Sequence, residues 1–159
     1  MSDWINEELL RDLNSEVAEG LVKVEAEGPW PRWVEARFPI GFNRIDWSAV
    51  PEKQTADVPI LAGEPDAQRQ ATLARFEGQL ATWFEGVGLA PSQLVVWIGD
   101  DTEFALEMTI ATLLSCFPRL FSFPQHSYVL VVGDRDWCLN YAMEGYLVFA
   151  AASTQRGQP

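Results

Sequence analysis

The last third of the chain constrains the fold most strongly, because three short apolar segments there are separated by two turn signals. The segments cover 127–132, 136–141 and 145–151, and each has the length and the β-branched or aromatic content of a strand. The first connection contains Gly133 and the second covers 142–144, and both are too short for a crossover. The pattern therefore predicts an antiparallel three-stranded meander.

Two further segments complete the predicted centre of the fold. Residues 94–98 (LVVWI) form a continuous apolar run of strand length, which is typical of a strand buried on both faces. Residues 102–116 follow after a Gly-Asp-Asp turn and are apolar nearly all round beyond the first two turns. They predict a central, covered helix that ends at Pro118.

Amphipathic helices are predicted at 3–19 and 66–86, where apolar residues recur at spacings of three and four. Ser2 is the expected N-cap of the first helix, and Gly20 is its expected stop. Between the two helices, 21–27 alternates apolar and polar residues and predicts a short strand.

The segment 29–65 combines tryptophans with closely spaced prolines, which prevent long regular elements. We expect a long loop held by its aromatic side chains, with a strand as one interpretation of 33–38 (WVEARF). Helices early in the chain and a meander at its end indicate an α+β fold, a single domain over 1–159 with a mainly antiparallel sheet and packed helices. The last residues, 153–159, are expected to fray.

Charge narrows the range of partners. The 159-residue chain has 23 acidic and 11 basic residues, so its formal net charge is 11 − 23 = −12. Lys and Arg carry affinity for phosphate backbones and anionic membranes, so we expect neither nucleic acid nor membrane as a partner. Half of the net charge falls on residues 1–30. A basic protein partner fits this distribution.

Compartment and cysteine usage agree with an intracellular setting. The start of the chain has no basic region followed by an apolar stretch, so we expect no secretory signal and a cytoplasmic location. Cys116 and Cys138 lie in apolar contexts, and we expect both to be buried, reduced thiols. With no C-x-x-C pair and a single histidine, we expect no metal site and assign no cofactor.

Four acidic residues around the start of the predicted helix 102–116 form the candidate partner-binding site: Asp100, Asp101, Glu103 and Glu107. On a helix, Asp100, Glu103 and Glu107 would share one stripe directly after a buried strand. Capping of the helix and its dipole is the structural interpretation of such acids. Binding of a basic partner is the functional interpretation, and acid–base or metal chemistry is the third.

Other candidate groups lack the partners that catalysis requires. His126, the only histidine, has no nucleophile motif near it, so we expect a surface or hydrogen-bonded residue rather than a general base. Trp30, Trp33 and Trp47 are expected to hold the proline-rich segment, with a sugar-binding face of coplanar rings as the alternative. With no catalytic motif in the sequence, we do not expect an enzyme.

The C-terminal stretch FSFPQHSYVLVVGDRDWCLNYAMEGYLVFAAA, together with the strand ending in WIGDD, resembles the small acidic immunity proteins encoded beside bacterial polymorphic toxins, including those of contact-dependent growth inhibition systems. The resemblance implies a cytoplasmic protein that binds and neutralises the C-terminal toxin domain of a delivered effector. Toxin nucleases bind polyanions and tend to be basic, so an inhibitor with a fixed acidic surface gains steered association. Such immunity proteins share no common set of functional residues, and none is carried over.

Two other classes remain open at this point. A small acidic secretion chaperone is the nearest alternative, and it would expose an apolar groove for an unfolded segment of its client. An immunity protein would instead present a polar, acidic face to a folded domain. A small metal-dependent or acid–base enzyme would need a concave pocket that gathers Asp100, Asp101 or His126 with shifted pKa values.

Overall fold

An antiparallel sheet lies at the centre of the fold. The structure, a computed structural model, describes residues 3–42, 44–59 and 65–152, with the side chain of Asp66 excepted. Its strands are β1 (Lys23–Ala26), β2 (Ile40–Gly41), β3 (Arg44–Ile45), β4 (Gln54–Asp57), β5 (Leu94–Gly99), β6 (Phe104–Thr109), β7 (Ser127–Val131), β8 (Trp137–Ala142) and β9 (Tyr146–Ala151). Seven of them form one sheet in the order β1-β6-β5-β7-β8-β9-β4, and β2 and β3 form a separate hairpin.

Helices accompany the strands along the whole chain. They are α1 (Asp3–Asp12), α2 (Asn14–Ala18), α3 (Trp30–Arg37), α4 (Asp66–Ala74), α5 (Glu77–Gly86) and α6 (Ile110–Phe121), with a short 3-10 helix at Trp47–Ala49. Every neighbouring strand pair of the large sheet is antiparallel, and β7, β8 and β9 form the predicted meander. The α+β fold class is confirmed.

The central strands β5, β7, β8 and β9 are buried on both faces over most of their length, which explains why they are mainly apolar. The edge strands β1 and β4 are exposed and more polar. On the helical face, side chains such as Trp97, Leu106 and Val129 pack under α1, α4, α5 and α6. On the opposite face, which we call the hairpin face, the alternate positions pack against α3, the β2–β3 hairpin and the 3-10 helix. Trp47 fixes the 3-10 helix there, because its Nε1 donates a 2.8 Å hydrogen bond to the buried Asn140 Oδ1.

The predicted helix over 102–116 is wrong, because its first half is strand β6. Phe104, Leu106 and Met108 point to the helical face while Ala105 points to the hairpin face, which is the two-residue period of a strand. Pairing with β1 on one side and β5 on the other overrides the good helix propensity of its Ala, Leu, Glu and Met residues.

The helix of this region, α6, begins at Ile110, after strand β6, and not at residue 102 as predicted. Thr109 is its N-cap, with Oγ1 accepting a hydrogen bond from the Thr112 backbone N–H at 3.2 Å. The helix continues through Pro118, which lies inside it, and ends at Phe121. The prediction that Pro118 terminates the helix is therefore also wrong. Proline removes one backbone hydrogen bond from a helix, and burial of α6 between the sheet and the other helices offsets that loss.

The segment 29–65 contains more regular structure than predicted. Five of the six residues of WVEARF belong to helix α3 rather than to a strand, and Phe38 is its extended C-cap. Val34 and Phe38 are both buried in the core of the hairpin face. Pro31 is in the first turn of α3, where its missing N–H costs nothing. Arg37 Nε donates to the buried carboxylate of Asp136 at 2.8 Å and ties α3 to the start of β8.

Two long predicted helices are each divided into a pair. Residues 3–19 form α1 and α2, which meet at Leu13, and 66–86 form α4 and α5. Arg119 of α6 braces the first break, because its Nη1 donates to the Asp12 carbonyl at 2.7 Å. Gly20 has a φ of +77°, the left-handed conformation expected of the residue that stops a helix. The predicted cap Ser2 and the tail 153–159 lie outside the described residues.

The two cysteines are buried and free, as predicted, and they lie on opposite faces of the sheet. Cys116 of α6 belongs to the core of the helical face, and Cys138 of β8 belongs to the core of the hairpin face. Burial raises the pKa of Cys116 to about 12, and burial likewise raises the pKa of Cys138. None of the described helices is both long and apolar enough to pass through a membrane.

Candidate functional site

The β5–β6 turn carries three of the four predicted site residues, Asp100, Asp101 and Glu103, which we call the acidic turn. Backbone hydrogen bonds hold it against the start of β7. The Asp100 N–H donates to the His126 carbonyl at 3.0 Å, and Asp100 Oδ1 accepts from the His126 N–H at 3.2 Å. The carboxylates are thus displayed on an ordered turn between two strands, and not on a helix as predicted.

Gln125 fixes the same turn from the helical face. Its side chain is fully buried, and its Oε1 accepts from the Asp101 N–H at 2.8 Å and from Thr102 Oγ1 at 3.1 Å. The Gln125 amide lies directly over Gly99, so a Cβ at position 99 would come within 2.5 Å of Oε1. A Cβ at this position would displace the Gln125 amide from its hydrogen bonds to the turn. These bonds order the turn before any partner arrives.

Helix α1 joins the acidic turn through a pair of hydrogen bonds. Asn6 Nδ2 donates to Glu103 Oε2 at 2.9 Å, and Asn6 Oδ1 accepts from the Glu103 backbone N–H at 3.3 Å. The exposed acids Asp3 and Glu7 flank Asn6 on this helix. The two places where the sequence concentrates negative charge therefore adjoin one another in the fold, through a contact between residues 97 positions apart in the chain.

Glu107 lies apart from the other three predicted residues. It is half-buried in the middle of β6, opposite Lys23 of β1 in the strand register. It alternates with Leu106 and Met108 and so shares the hairpin face with Ala105. The predicted stripe of Asp100, Glu103 and Glu107 does not exist, because that spacing aligns residues on a helix and not on a turn followed by a strand.

A cavity of about 290 Å³ opens on the hairpin face behind the acidic turn, between α3, the β2–β3 hairpin and the ends of β5 and β7. We call it the acidic cavity, because Glu27, Glu35 and Asp100 line it together with apolar side chains of α3, the hairpin and β5. Arg44 is the basic residue in its lining. It belongs to the hairpin and donates to Glu144 Oε2 at 2.8 Å.

The carboxyls of the acidic cavity are not neutralised from within the protein. Burial raises the pKa of Asp100 above its usual value, with the neighbouring Asp101 charge as a smaller contribution in the same direction. Burial also raises the pKa of Glu27. Among the described residues, no Lys or Arg nitrogen forms an ion pair with Asp100, Glu27 or Glu35. Desolvation sets the direction of both shifts, and at Asp100 it outweighs the opposing effect of His126.

A hydroxyl group also faces the acidic cavity. Tyr128 of β7 lines it and is 8% exposed, and its phenol has no hydrogen-bond partner among the described residues. Burial raises the pKa of Tyr128, so the phenol keeps its proton at neutral pH. A phenol without a partner among the described residues is a group to which a ligand atom can hydrogen-bond.

His126 lines a second cavity, of about 400 Å³, on the other side of Arg44. Its Nδ1 accepts from the Met143 N–H at 3.3 Å, and Arg44 Nη1 lies 2.7 Å from its Nε2. Burial lowers the pKa of His126, and the nearby Arg44 charge acts in the same direction. Asp100 accepts from the histidine backbone and not from the imidazole, so the two side chains do not form an oriented acid–base pair.

The tryptophan side chains do not form a flat binding platform. Trp30 and Trp33 meet edge to face, with ring planes 63° apart, and Trp47, the first residue of the 3-10 helix, is buried. Coplanar exposed rings, which a sugar-binding face requires, are not present at these three positions. Within residues 3–42, 44–59 and 65–152, no three His, Cys, Asp or Glu side chains come together as a group able to hold a metal ion.

Four residues of this site were not identified from the sequence: Glu27, Glu35, Arg44 and Tyr128. Glu27 was visible only as one member of the acidic N-terminal charge. Glu35 was assigned to a strand rather than to α3, and Arg44 lies in a segment where charges balance. Nothing in the local pattern around Tyr128 distinguishes it from the rest of its strand. Only the packing of the hairpin on the sheet brings the four residues together.

Comparisons with protein-family models, with curated proteins and with solved structures found no match to this chain.

Proposed function

We propose that this protein is an immunity protein that binds a cognate basic toxin domain, a nuclease by its charge, and neutralises it in the cytoplasm. The acidic turn and the adjoining first helix form the contact surface. The observation that carries the proposal is a set of carboxylates that are held rigidly and have no cation of their own. Among the described residues, no Lys or Arg forms an ion pair with Asp100, Asp101 or Glu103.

Other acidic residues of the chain are engaged differently. Glu16 is bound by Arg119 at 2.7 Å, Glu144 by Arg44 at 2.8 Å and Asp136 by Arg37 at 2.8 Å. Those pairs connect elements of the fold to one another. The acidic turn is held by Gln125, Asn6 and the backbone of β7 instead, and all of these are uncharged. Its negative charge is therefore available to an external partner.

Preorganisation makes this surface suited to rapid binding. A fixed acidic patch on a protein of net charge −12 attracts a basic partner over a distance and orients it before contact. Gln125 and Asn6 already hold the backbone of the turn. Binding therefore costs little conformational entropy for ordering this backbone. An inhibitor must bind faster than the toxin reaches its substrate, and electrostatic steering provides that speed.

Co-expression tests the proposal directly. The C-terminal domain encoded by the reading frame next to this gene is expressed in a bacterial host with and without this protein. We expect the domain to be toxic alone and harmless with the protein, and the two to purify as a complex. A toxic neighbouring domain against which this protein gives no protection would overturn the proposal.

The surface is tested with matched charge changes. Asp101→Asn with Glu103→Gln removes two charges from the acidic turn, while Glu77→Gln with Glu85→Gln removes two from the exposed side of α5. We expect the first pair to slow association with the toxin domain by about tenfold at low salt and to flatten its salt dependence, and the second to have little effect. Equal slowing by both pairs would mean that net charge acts without a specific surface.

A further inference from the structure

We propose that the acidic cavity is the receptor for a single arginine side chain of the bound partner. The inference rests on the proposed function, since it names the group of a basic partner that enters the protein. The apolar walls hold the alkyl stem of the arginine, and its guanidinium reaches Asp100, Glu27 and the Tyr128 hydroxyl.

The lining of the cavity matches both parts of that side chain. Val34, Ile98 and Ile45 present apolar surface, and the carboxylates of Glu27 and Asp100 occur in the same lining. Long basic side chains bury a hydrocarbon stem while their charged ends reach a polar group. Pockets for drug-sized ligands measure about 300–1,000 Å³, so a cavity of about 290 Å³ fits one extended side chain better than a larger molecule.

The polar groups favour a guanidinium over an ammonium. The acceptors belong to different elements: Glu27 follows β1, Asp100 follows β5, and Tyr128 lies in β7. A guanidinium has five donors in a plane and can serve several separated acceptors, whereas an ammonium is a compact and strongly hydrated point charge. Tyr128 is 8% exposed as a residue, and its hydroxyl, which has no hydrogen-bond partner in the described part of the chain, can accept a hydrogen bond from the guanidinium.

Arg44 does not fill this role itself. Its Nη1 donates to Glu144 and lies next to His126, both of which line the second cavity. The Glu144 carboxylate offsets its charge, so the net charge around the acidic cavity stays negative. Burial keeps the pKa values of Asp100 and Glu27 raised, and the opposing effect of His126 on Asp100 does not reverse that direction.

The inference can be tested without the toxin. The full chain, labelled with ¹⁵N, is titrated with n-butylguanidinium, with n-butylammonium and with the neutral isostere n-butylurea, and amide shifts are followed by NMR. We expect saturable binding of butylguanidinium in the millimolar range, with the largest shifts at Ile98, Asp100 and Tyr128. Butylammonium should bind more weakly, and butylurea should not bind measurably.

Variants locate the interaction. Asp100→Asn should weaken butylguanidinium binding by about tenfold, because it removes one charge-assisted hydrogen bond. Tyr128→Phe should weaken it by a smaller factor without lowering stability, since the hydroxyl has no hydrogen-bond partner among the described residues. Asp57→Asn, on the exposed edge strand β4, is the matched control and should leave binding unchanged.

Failure of the arginine site and failure of the proposed immunity function give different results. Equal binding of butylurea would overturn the inference in favour of a merely apolar cavity, and tighter binding of butylammonium would overturn the choice of arginine. Shifts spread over the surface, or insensitivity to Asp100→Asn, would overturn the site. In each of these cases, protection by co-expression would still support an immunity protein that binds through the acidic turn alone. Failure of co-expression with specific butylguanidinium binding would leave a cation site on a protein of another class.

Discussion

Asp100 connects the two parts of the site, because its backbone belongs to the acidic turn and its side chain lines the acidic cavity. A carboxylate that is partly desolvated and lacks a cation makes the folded protein less stable than it would be with a neutral group there. The raised pKa of Asp100 expresses that cost.

Replacement of Asp100 by Asn tests this cost through its effect on the free energy of unfolding. Above the folded-state pKa of Asp100 the carboxylate is charged, so we expect the variant to be as stable as the wild type or slightly more stable at pH 7. The amide oxygen can still accept from the His126 N–H. Because the group is partly exposed, we expect a gain of less than about 1 kcal/mol.

The pH dependence of that difference has a definite sign. The unfolded-state pKa is near 3.8 and the folded-state pKa lies above it, so the folded wild type binds more protons between the two values. As the pH falls through the folded-state pKa, the wild type recovers stability and the advantage of the variant shrinks. Urea unfolding at a series of pH values measures this directly. A variant that is markedly less stable at pH 7 would show that the carboxylate serves the fold instead.

At the scale of elements, the β5–β6 turn depends on a contact between a glycine and a buried amide. Gly99 is the last residue of β5, and the absence of its side chain makes room for Gln125. Gln125 in turn bonds the backbone of Asp101 and the hydroxyl of Thr102. The position of the acidic carboxylates therefore depends on the uncharged side chain of Gln125, which is buried and away from the surface.

A double-mutant cycle tests this dependence. Gly99→Ala should destabilise the fold by about 1–3 kcal/mol, because a Cβ displaces the Gln125 amide and leaves buried polar groups without partners. Gln125→Ala alone should cost a similar amount. The two costs should not add in the double variant, since the second change removes the atoms with which the new Cβ collides. Chemical unfolding of the four proteins gives the coupling energy, and simple additivity would contradict the proposed contact.

At the scale of the whole molecule, the sheet separates two cores that differ in how they are covered. Four helices close the helical face, and smaller elements close the hairpin face and leave the acidic cavity. The cavity exists because a short helix and a two-stranded hairpin do not seal the end of the sheet as a long helix does. The acidic cavity therefore lies on the hairpin face, beside the core of that face.

The same separation makes a prediction about the thiols. Cys116 and Cys138 lie on different faces of the sheet, so their side chains point away from each other and do not meet the geometry of a disulfide. We expect titration without reductant to detect few thiols in the native protein and two after denaturation. Burial raises the pKa of both groups, which further lowers their reactivity in the folded state. Absence of free thiol after denaturation would contradict the arrangement of the two faces.

The amino-acid sequence by itself determined the α+β class, the C-terminal meander, the buried strand β5 and the burial of both cysteines. Each of these follows from local signals: short apolar runs, tight turns and apolar surroundings of a thiol. The sequence also identified Asp100, Asp101 and Glu103 as an acidic group that directly follows a strand. Local spacing was sufficient in these cases, because neighbours along the chain remain neighbours in the fold.

Only the tertiary structure decided the rest. The apolar residues of 102–109 are spaced in a way that fits either a helix or a strand. Pairing with β1 and β5 makes the segment a strand. The same choice moves Glu107 away from the acidic turn. Contact between Asn6 and Glu103, and the assembly of Glu27, Glu35 and Tyr128 around one cavity, join parts of the chain that are far apart in sequence. A pattern read along the chain has a range of a few residues, whereas a binding site depends on which distant elements pack together.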